Sequence, residues 1–261
     1  MKIAVVGLGT TGLEVFKEIQ KKINGDEILG VDIDSNKVKS YRAQGLNVNH
    51  KIDSPQDIYI ICVYETEQVK NVVKSLDYSR KPLVSIESTI KPGTCKELAD
   101  FVVNKKKSNL LLFPHRFNSN DSEHHIFNQK RLIAGATEKC LERGINFYSR
   151  FMPKDLFVIT TLKYAELCKP LENAIRFVEI ALAEEIKLFC DKKHLDFNEV
   201  RKYVNSKWNM DLKEARDGIG GKCLPKDSSI INNFFKNNLI FNSAIKLDKK
   251  YKKLINDMEK S

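Results

Sequence analysis

The chain has 261 residues, of which 42% are hydrophobic and 30% charged, and its formal net charge is +10. This length suffices for a substantial core and predicts two subdomains. The apolar run at the N-terminus is too short for a signal peptide, and no other run approaches membrane-spanning length. We therefore expect a soluble cytoplasmic protein that does not engage a membrane.

The basic residues are spread along the chain, with the densest stretches at 105–107 and 246–253. No nucleic-acid-binding motif accompanies either stretch, so solvated helix faces or loops explain them better and no nucleic-acid partner is expected. Six cysteines stand at scattered positions without a CxxC pair. In a chain of this length they predict reduced thiols rather than a disulfide or zinc framework, and no metal site is expected.

The first part of the chain has the pattern that opens a dinucleotide-binding fold. An apolar run at 2–6 leads into a glycine-rich turn, an amphipathic stretch follows at 13–23, and a second apolar run occupies 28–32. The residues expected to bind a pyrophosphate at the helix N-terminus are Gly7, Gly9, Thr10, Thr11 and Gly12. Asp32 is placed to accept hydrogen bonds from an adenosine ribose, which favours NAD over NADP. The alternative role for Asp32 is to cap a turn together with Asp34.

Three further apolar runs predict strands at 58–63, 83–86 and 110–113. Each run lies beside a helical or turn segment, which is typical of an α/β fold with a parallel sheet. We assign residues 1–155 to an NAD-binding, Rossmann-like domain.

The pattern becomes helical after about residue 160. Residues 163–192 are predicted to form one long helix, with apolar residues at 167, 171, 175, 178, 182, 186 and 189. Shorter helices are predicted at 197–205, 227–236 and 242–258. We assign residues 156–261 to an all-helical second domain.

Residues 218–227 read Gly-Ile-Gly-Gly-Lys-Cys-Leu-Pro-Lys-Asp, which combines a nucleophile, a cation and a base in a predicted loop. Gly220 and Gly221 allow a substrate to approach the backbone before Cys223. Lys226 favours a thiolate, and Asp227 can hold or activate a water molecule. The alternative is a turn around a buried structural cysteine, but the full spacing favours catalysis.

Motifs occur at seven places along the chain in the order found in one known family. They are the glycine turn at 7–12, the strand at 61–63, Ser-Thr-Ile-Lys-Pro-Gly-Thr at 88–94, Pro-His-Arg at 114–116, Arg-Leu-Ile-Ala-Gly at 131–135, the stretch 165–173 with its Lys-x-x-x-Asn, and Gly-Gly-Lys-Cys-Leu-Pro-Lys-Asp at 220–227. In this ordered set the chain resembles the UDP-glucose/GDP-mannose dehydrogenase family.

The resemblance implies oxidation of the C6 alcohol of a nucleotide sugar to a carboxylate, with two NAD reduced. It implies that Cys223 captures the intermediate aldehyde as a thiohemiacetal, that a second hydride transfer makes a thioester, and that water releases the acid. Lys169 and Asn173 share one helical face and would donate hydrogen bonds to the oxyanion. Thr89 and Asp227 would position water or transfer protons.

The resemblance also implies contacts and an assembly. Val63 and Thr89 would flank the cofactor, and the residues implied to contact substrate are Arg116, Gly220, Gly221 and Lys226. The alternative for Lys169 and Asn173 is a solvated face, although leucines at 167 and 171 favour burial. The helix near 170–190 forms the dimer interface in the family, so a homodimer is implied. The apolar stripe suits burial against a partner or packing within one chain.

Three departures from the family pattern bear on the reaction. His115 stands where the family has a glutamate that helps hydrolysis; a neutral histidine also accepts a proton near pH 7, whereas a protonated one adds a cation. Pro170 lies inside the long helix and is expected to kink or restart it. The sequence ends at Ser261, 34 residues after Asp227. We therefore expect the family's C-terminal nucleotide-binding domain to be absent, with a cost in substrate affinity.

We predict an NAD-dependent nucleotide-sugar dehydrogenase of the UDP-sugar 6-dehydrogenase type. Two alternatives remain open. A β-hydroxyacid-type dehydrogenase would make one NADH and need no cysteine, so its product is a ketone or aldehyde rather than a carboxylate. A non-catalytic, NAD-binding or regulatory remnant of the family would bind NAD without turnover.

Overall fold

The computed structural model describes residues 1–118, 121 and 123–258. They form two compact units, Met1–Leu167 and Cys168–Ser261. Among these residues, no helix combines the length and the apolar composition needed to cross a membrane.

The first unit is built on one sheet. Within the described residues its strands are β1 Lys2–Val6, β2 Glu27–Val31, β3 Val48–Asn49, β4 Ile58–Ile61, β5 Leu83–Ile86, β6 Asn109–Leu112, β7 Arg131–Gly135 and β8 Phe157–Ile159. Their order in the sheet is β3-β2-β1-β4-β5-β6-β7-β8. Strands β1 to β6 run parallel, β7 is antiparallel to β6, and β8 is parallel to β7. The α/β class with a parallel N-terminal sheet is confirmed.

The described helices of the first unit follow strands β1, β2, β4, β5 and β7. They are α1 Thr10–Lys22, α2 Ser35–Ala43, α3 Thr66–Ser75, α4 Thr94–Ala99, which continues as a π-helical stretch Asp100–Lys105, and α5 Glu138–Tyr148. Polar side chains fix where several begin, because the first N–H groups of a helix have no partner within it. Asp34 accepts hydrogen bonds at the start of α2, and Thr137 does so at the start of α5.

The carboxyl ends of four parallel strands lie side by side in this sheet. Val6 is paired with Ile61, Ile61 with Ile86, and Ile86 with Leu112. The residues that come next along each strand therefore emerge at the same edge. In an open parallel sheet this edge is where ligands bind.

The second unit is helical throughout its regular structure. Its helices are α6 Leu162–Lys192, which begins in the first unit, α7 Phe197–Asn205, α8 Cys223–Phe234 and α9 Ile240–Met258. One apolar cluster joins α6, the segment before α8 and α9 through Phe177, Ile180, Ala181, Ile219 and Ala244. A second cluster joins α6, α7 and the segment after α7 through Ala183, Cys190, Phe197 and Leu212.

The apolar stripe predicted on the long helix is only partly buried within the chain. Ile175, Leu182 and Phe189 are 49%, 52% and 57% exposed. The α6 residues buried in the two clusters are mainly neighbouring positions such as Phe177 and Ile180. Of the two roles considered for this stripe, packing within one chain does not account for these three positions.

Pro170 does not interrupt α6. The helix runs from Leu162 to Lys192 with Pro170 inside it, so the expectation of a restart at this residue is wrong. Proline removes one backbone donor but keeps a helical φ. The cost is one missing bond to the carbonyl of Glu166, which a helix of 31 residues tolerates.

Candidate functional site

The turn between β1 and α1 contains three glycines, two packed against backbone and one facing open space. Gly7 has a φ of +92°, and a Cβ there would lie 2.9 Å from the backbone of Cys62. A Cβ on Gly12 would lie 1.9 Å from the Gly7 carbonyl oxygen, so only glycine lets α1 approach β1 this closely. A Cβ on Gly9 would meet nothing within 4 Å. This open space at the N-terminus of α1 is suited to a pyrophosphate, because unpaired N–H groups and the helix dipole favour an anion there.

Asp32 stands directly after β2 with its carboxylate beside this turn. Its Oδ2 accepts a hydrogen bond from Leu8 N at 2.8 Å, and its Oδ1 accepts one from Asp34 N at 2.9 Å. The Lys37 ammonium lies 3.4 Å from Oδ2. A carboxylate offers about four acceptor positions, so Asp32 can hold the turn and still accept a ribose hydroxyl. Both roles considered for Asp32 are compatible with this geometry.

We predict that alanine at Gly9 and alanine at Gly12 have opposite consequences. Gly12→Ala should destabilise the first unit by about 1–3 kcal/mol, because the new methyl group overlaps backbone. Gly9→Ala should leave the melting temperature nearly unchanged and weaken NAD binding at least about tenfold, because it fills the open space. Thermal unfolding and calorimetric NAD titration measure the two effects. Equal NAD affinity in Gly9→Ala would argue against pyrophosphate binding at this turn.

Val63, Thr89 and His115 emerge from the shared edge of the sheet after β4, β5 and β6. The Ser88 hydroxyl lies 3.1 Å from the carbonyl oxygen of Ile61 and 2.7 Å from that of Val63. Its hydrogen bond ties the segment after β5 to the segment after β4. Thr89 is half-buried and His115 is buried. The first unit thus brings the predicted cofactor residues and His115 to one edge.

A buried charge network lies at this edge, centred on Glu87. Its Oε2 accepts a hydrogen bond from Arg131 Nη2 at 3.0 Å and pairs with His115 Nε2. Its Oε1 accepts a hydrogen bond from the Tyr148 hydroxyl, whose oxygen lies 2.7 Å from Ser85 Oγ. Glu87 and Arg131 are almost fully buried. His115 is therefore held through Nε2 by a carboxylate that two other side chains, Arg131 and Tyr148, fix in place.

The charges in this network decide the protonation of Glu87. Burial alone would raise the pKa of this carboxyl, but the charges of His115 and Arg131 outweigh burial and lower the pKa to about 2. Burial and the neighbouring carboxylate raise the pKa of the Tyr148 hydroxyl well above its ordinary value. Glu87 is therefore an ionised acceptor and Tyr148 a neutral donor.

Glu87 was not among the residues singled out from the sequence. The available signal was an acid directly after an apolar run and directly before the Ser88-Thr89 motif. Its partner Arg131 opens the Arg-Leu-Ile-Ala-Gly motif, for which the sequence indicates no role.

Cys62 lies beside this network, with its Sγ 4.0 Å from His115 Nε2, and together with Glu87 and His115 it makes three side chains of the types that bind metals. Ligand atoms of Cys62, Glu87 and His115 lie within 4.8 Å of one another. The Arg131 guanidinium on Glu87 opposes a further cation, and burial raises the pKa of the Cys62 thiol well above its ordinary value. We therefore interpret the group as a charge network rather than a metal centre.

Two other contacts in the first unit concern predicted motifs. Arg116 donates from Nη1 to the carbonyl oxygen of Lys130 at 2.8 Å, and its contact with a substrate stays a prediction. The Glu166 carboxylate accepts hydrogen bonds from Gly93 N at 2.8 Å and Cys95 N at 2.9 Å. Glu166 thus supplies the side-chain cap of α4, a contact that sequence reasoning missed because 71 residues separate Glu166 from Cys95.

In the second unit, α6 and α8 bring four predicted residues together. Asn173 Nδ2 donates to Asp227 Oδ2 at 2.6 Å, and Lys226 Nζ lies 3.6 Å from Asp227 Oδ1. Lys169 is 8% exposed, with its ammonium 4.0 Å from Glu172 Oε2. The Lys169 side chain is thus buried rather than on a solvated face.

Asp227 is the buried acid of this group, with 1% of its surface exposed. Burial raises its pKa above the ordinary value, while the charges of Lys226 and Lys169 and the Asn173 hydrogen bond act in the opposite direction. A carboxylate with a raised pKa accepts a proton more readily near neutral pH. The position suits general-base chemistry or the holding of a water molecule.

Cys223 is the first residue of α8 rather than part of a loop. The helix runs from Cys223 to Phe234, so the predicted start at 227 is wrong. Pro225 lies in the first turn of this helix, where proline is tolerated because its missing N–H has no intrahelical partner. The spacing of four places Cys223 and Asp227 on one face of α8. Of the six cysteines, Cys223 is the exposed one.

The backbone before Cys223 is open. A Cβ on Gly220 or on Gly221 would meet nothing within 4 Å, and Gly221 has a φ of +78°. The left-handed conformation explains glycine at 221. Open backbone next to an exposed thiol leaves room for a substrate at this end of α8.

Two family models match the chain. Residues 2–112 match the NAD binding domain of 6-phosphogluconate dehydrogenase, and residues 163–249 match the central domain of the UDP-glucose/GDP-mannose dehydrogenase family. Together they include the glycine turn, Asp32 and the Cys223 helix.

Curated relatives are similar to most of this chain. A UDP-N-acetyl-D-mannosamine dehydrogenase of Methanococcus vannielii is 26% identical over 95% of this chain and 65% of its own length. A UDP-N-acetyl-D-glucosamine 6-dehydrogenase of Pseudomonas aeruginosa is 27% identical over 87% of this chain and 61% of its own length. The chain thus spans about two thirds or less of the length of these relatives.

Solved structures share the fold. A UDP-D-ManNAc dehydrogenase from Pyrococcus horikoshii superposes with a TM-score of 0.82 at 24% identity, covering 96% of this chain and 69% of its own. A 3-hydroxyisobutyrate dehydrogenase from Salmonella typhimurium superposes with a TM-score of 0.72 at 14% identity, covering 96% and 93%.

The fold and the glycine turn define a Rossmann-type, NAD-binding protein. The helical unit with the Cys223 motif narrows this class. The resemblance of the chain to the UDP-glucose/GDP-mannose dehydrogenase family is confirmed, with the family's central domain matched over residues 163–249.

Proposed function

We propose that the chain is an NAD-dependent dehydrogenase that oxidises the C6 alcohol of a UDP-N-acetylhexosamine or a related nucleotide sugar to a carboxylate. The observation that carries the proposal is the grouping of Asn173, Lys226 and Asp227 in the second unit, with Cys223 on the same face of α8 as Asp227. The relatives named above act on UDP-N-acetylhexosamines, which supports this substrate class.

The cofactor fits the first unit. Gly9 leaves open space at the N-terminus of α1, and Asp32 can accept ribose hydroxyls. When bound there, NAD supplies the acceptor for one hydride in each of the two oxidations. The protein's own groups then have to hold the substrate and move the protons.

Cys223 is the nucleophile of the proposed mechanism. Its thiolate adds to the carbonyl carbon of the aldehyde, so a C–S bond forms and the carbonyl oxygen becomes an oxyanion. Asn173 Nδ2 carries two N–H groups and uses one on Asp227. Its second N–H and the Lys169 ammonium are the donors for this oxyanion. Loss of a hydride from the adduct leaves a thioester on Cys223.

Water completes the reaction by breaking the C–S bond. Asp227 is suited to accept the proton of that water, because its carboxyl is buried and its pKa is raised. His115 stands where the family has a glutamate, and Glu87 holds its ring through Nε2. We propose that His115, as the charged partner of Glu87, donates a proton in this step, whereas the family's glutamate would accept one. The products are the carboxylate and the free thiol.

The experiment that tests the function is turnover with a substrate panel. The protein is incubated with NAD and UDP-GlcNAc, UDP-ManNAc or UDP-glucose, and NADH and the sugar product are quantified together. Two NADH per carboxylate support the proposal. One NADH with an aldehyde or ketone as the product would instead establish the β-hydroxyacid-type alternative, which the Lys169–Asn173 pair also permits. NAD binding without turnover on any sugar would establish the non-catalytic alternative.

We further propose a homodimer through α6. Ile175, Leu182 and Phe189 repeat every seven residues along one side of this helix and are about half exposed. Such a stripe loses water contact when a second copy covers it. The partner is then a second copy of this chain, as the family resemblance implies.

We predict that Leu182→Glu weakens the dimer at least about a hundredfold, because the interface would have to bury an unpaired carboxylate. Multi-angle light scattering across a dilution series measures the effect. Leu254→Glu is the matched control, since Leu254 is an exposed leucine of α9 away from the stripe. A wild-type protein that is monomeric at all concentrations would contradict the assignment.

A further inference from the structure

The segment from Gly218 to Gly221 leads into Cys223 without being helix or strand. Its central residue, Ile219, is fully buried in the cluster with Phe177, Ile180 and Ala244. A buried peptide outside regular structure must find hydrogen-bond partners for its N–H and C=O elsewhere, because water cannot serve them.

Both polar groups of Ile219 are bound by one pair of side chains on α9. Asp248 Oδ1 accepts a hydrogen bond from Ile219 N at 2.7 Å, and Lys252 Nζ donates to Ile219 O at 2.9 Å. Lys252 Nζ also donates to Asp248 Oδ2 at 2.7 Å. We call this pair the α9 clamp. Its charge-assisted bonds are stronger and more directional than neutral ones.

The clamp also shapes the residue before Ile219. Gly218 has a φ of +84°, and a Cβ there would lie 2.4 Å from Lys252 Cγ. The lysine stem therefore packs directly on the glycine backbone while its ammonium binds the next peptide. Four residues after Ile219, the chain reaches Cys223 at the start of α8.

We propose that Asp248 and Lys252 are positioning residues for the thiol: by fixing the Gly218–Gly221 segment from α9, they set where Cys223 stands at the start of α8. Neither side chain takes part in the chemistry. The inference rests on the proposed role of Cys223 as the nucleophile.

A buried acid makes the clamp respond to pH. Glu184 of α6 is fully buried, and among the described residues neither carboxylate oxygen has a hydrogen-bond partner. The charged groups that act on it are Asp248 and Lys252 on α9 and Arg216 before the segment. Tyr251 of α9, itself influenced by Asp191 and Asp217, also faces it.

The direction of the pH effect follows from these groups. Burial, and then the charge of Asp248, raise the pKa of Glu184 to about 7, while Lys252 and Arg216 act against them. As the pH rises through 7, Glu184 ionises and competes with Asp248 for the Lys252 ammonium. The clamp should therefore be tighter at pH 6 than at pH 8.

The test compares Lys252→Met, which keeps the stem on Gly218 and removes the ammonium, with Lys252→Arg, which restores a cation. Lys249→Met is the control, because Lys249 is an exposed lysine of the same helix. Two readouts are taken: kcat and KM with the best nucleotide sugar, and the rate at which iodoacetamide alkylates Cys223 without sugar, resolved by mass spectrometry. Alkylation is measured at pH 6 and pH 8.

Lys252→Met should lower kcat about tenfold to a hundredfold with little change in KM for NAD, because a thiol displaced by about 1 Å reacts poorly. It should also change the ratio of the alkylation rates at the two pH values, as should Glu184→Gln. Lys252→Arg should recover part of both effects, and Lys249→Met should match the wild type. Asp248→Asn, which keeps an acceptor for Ile219 N, serves as a second variant if Lys252→Met folds poorly.

Wild-type kcat and wild-type alkylation ratios in Lys252→Met and Asp248→Asn would overturn the proposal. A wild-type protein without turnover would reject the proposed function alone. The alkylation ratios would still decide whether the clamp positions Cys223.

Discussion

Cys223→Ala should abolish carboxylate formation, lowering its rate by about a thousandfold or more. Without the thiol, no thioester can form, so any NADH that appears comes from the first oxidation and the sugar product is an aldehyde. Product analysis by mass spectrometry, with NADH counted per product, measures both parts. Cys223→Ser should fall between the alanine variant and the wild type, because a hydroxyl is a weaker nucleophile than a thiolate.

The control for this prediction is Cys168→Ser, a change at a half-buried cysteine of the same unit. It should retain carboxylate formation, and both variants should bind NAD as the wild type does, since the cofactor residues lie in the first unit. Carboxylate formation at an undiminished rate in Cys223→Ala would reject the covalent mechanism.

Glu87→Gln should destabilise the first unit by about 3–5 kcal/mol, because it leaves the fully buried Arg131 guanidinium without its counter-ion. Chemical denaturation measures the loss. The matched control is Glu27→Gln, which breaks the exposed pair with Lys2 and should cost about 1 kcal/mol or less. Replacing both Glu87 and Arg131 with methionine should be less harmful than removing Glu87 alone, because the buried guanidinium is then removed together with its counter-ion.

The Glu87 carboxyl also makes the stability of the first unit depend on pH. In the folded chain the pKa of Glu87 is about 2, below the value of about 4.3 expected for an unfolded chain. Its contribution to stability is therefore present above pH 4.3 and is lost as the pH falls toward 2. Glu87→Gln should remove this part of the acid sensitivity. An identical loss of stability with acid in the variant and the wild type would contradict the role given to Glu87.

Part of the element order was predictable, where a strand or helix carries its own periodic signal. The glycine turn, the runs at 58–63 and 83–86, and the long helix from 163 each follow a period that chain geometry dictates. Strand β3 was not predicted because it has only two residues. Strand β7 was not predicted because it begins with a buried arginine. An arginine in a sequence usually indicates an exposed position. Arg131 can be buried because its guanidinium pairs with the Glu87 carboxylate.

The candidate site was predictable where a motif carried it and not where distant residues complete it. Lys169, Asn173, Lys226 and Asp227 were singled out from two short segments, and the second unit brings them together. The burial of the Glu87 network depends on partners 44 and 61 residues away in the chain. No local sequence pattern predicts these contacts, because the sheet topology brings the distant residues together.

The exposure of a single cysteine at the start of α8 has a consequence for how the protein withstands oxidants. Five thiols are buried or half-buried, so peroxide reaches Cys223 first. Its sulfenic acid would be recovered by thiol reductants, whereas further oxidation to a sulfinic acid would be permanent. The residue that makes the proposed chemistry possible is thus also the point at which the protein is most easily damaged.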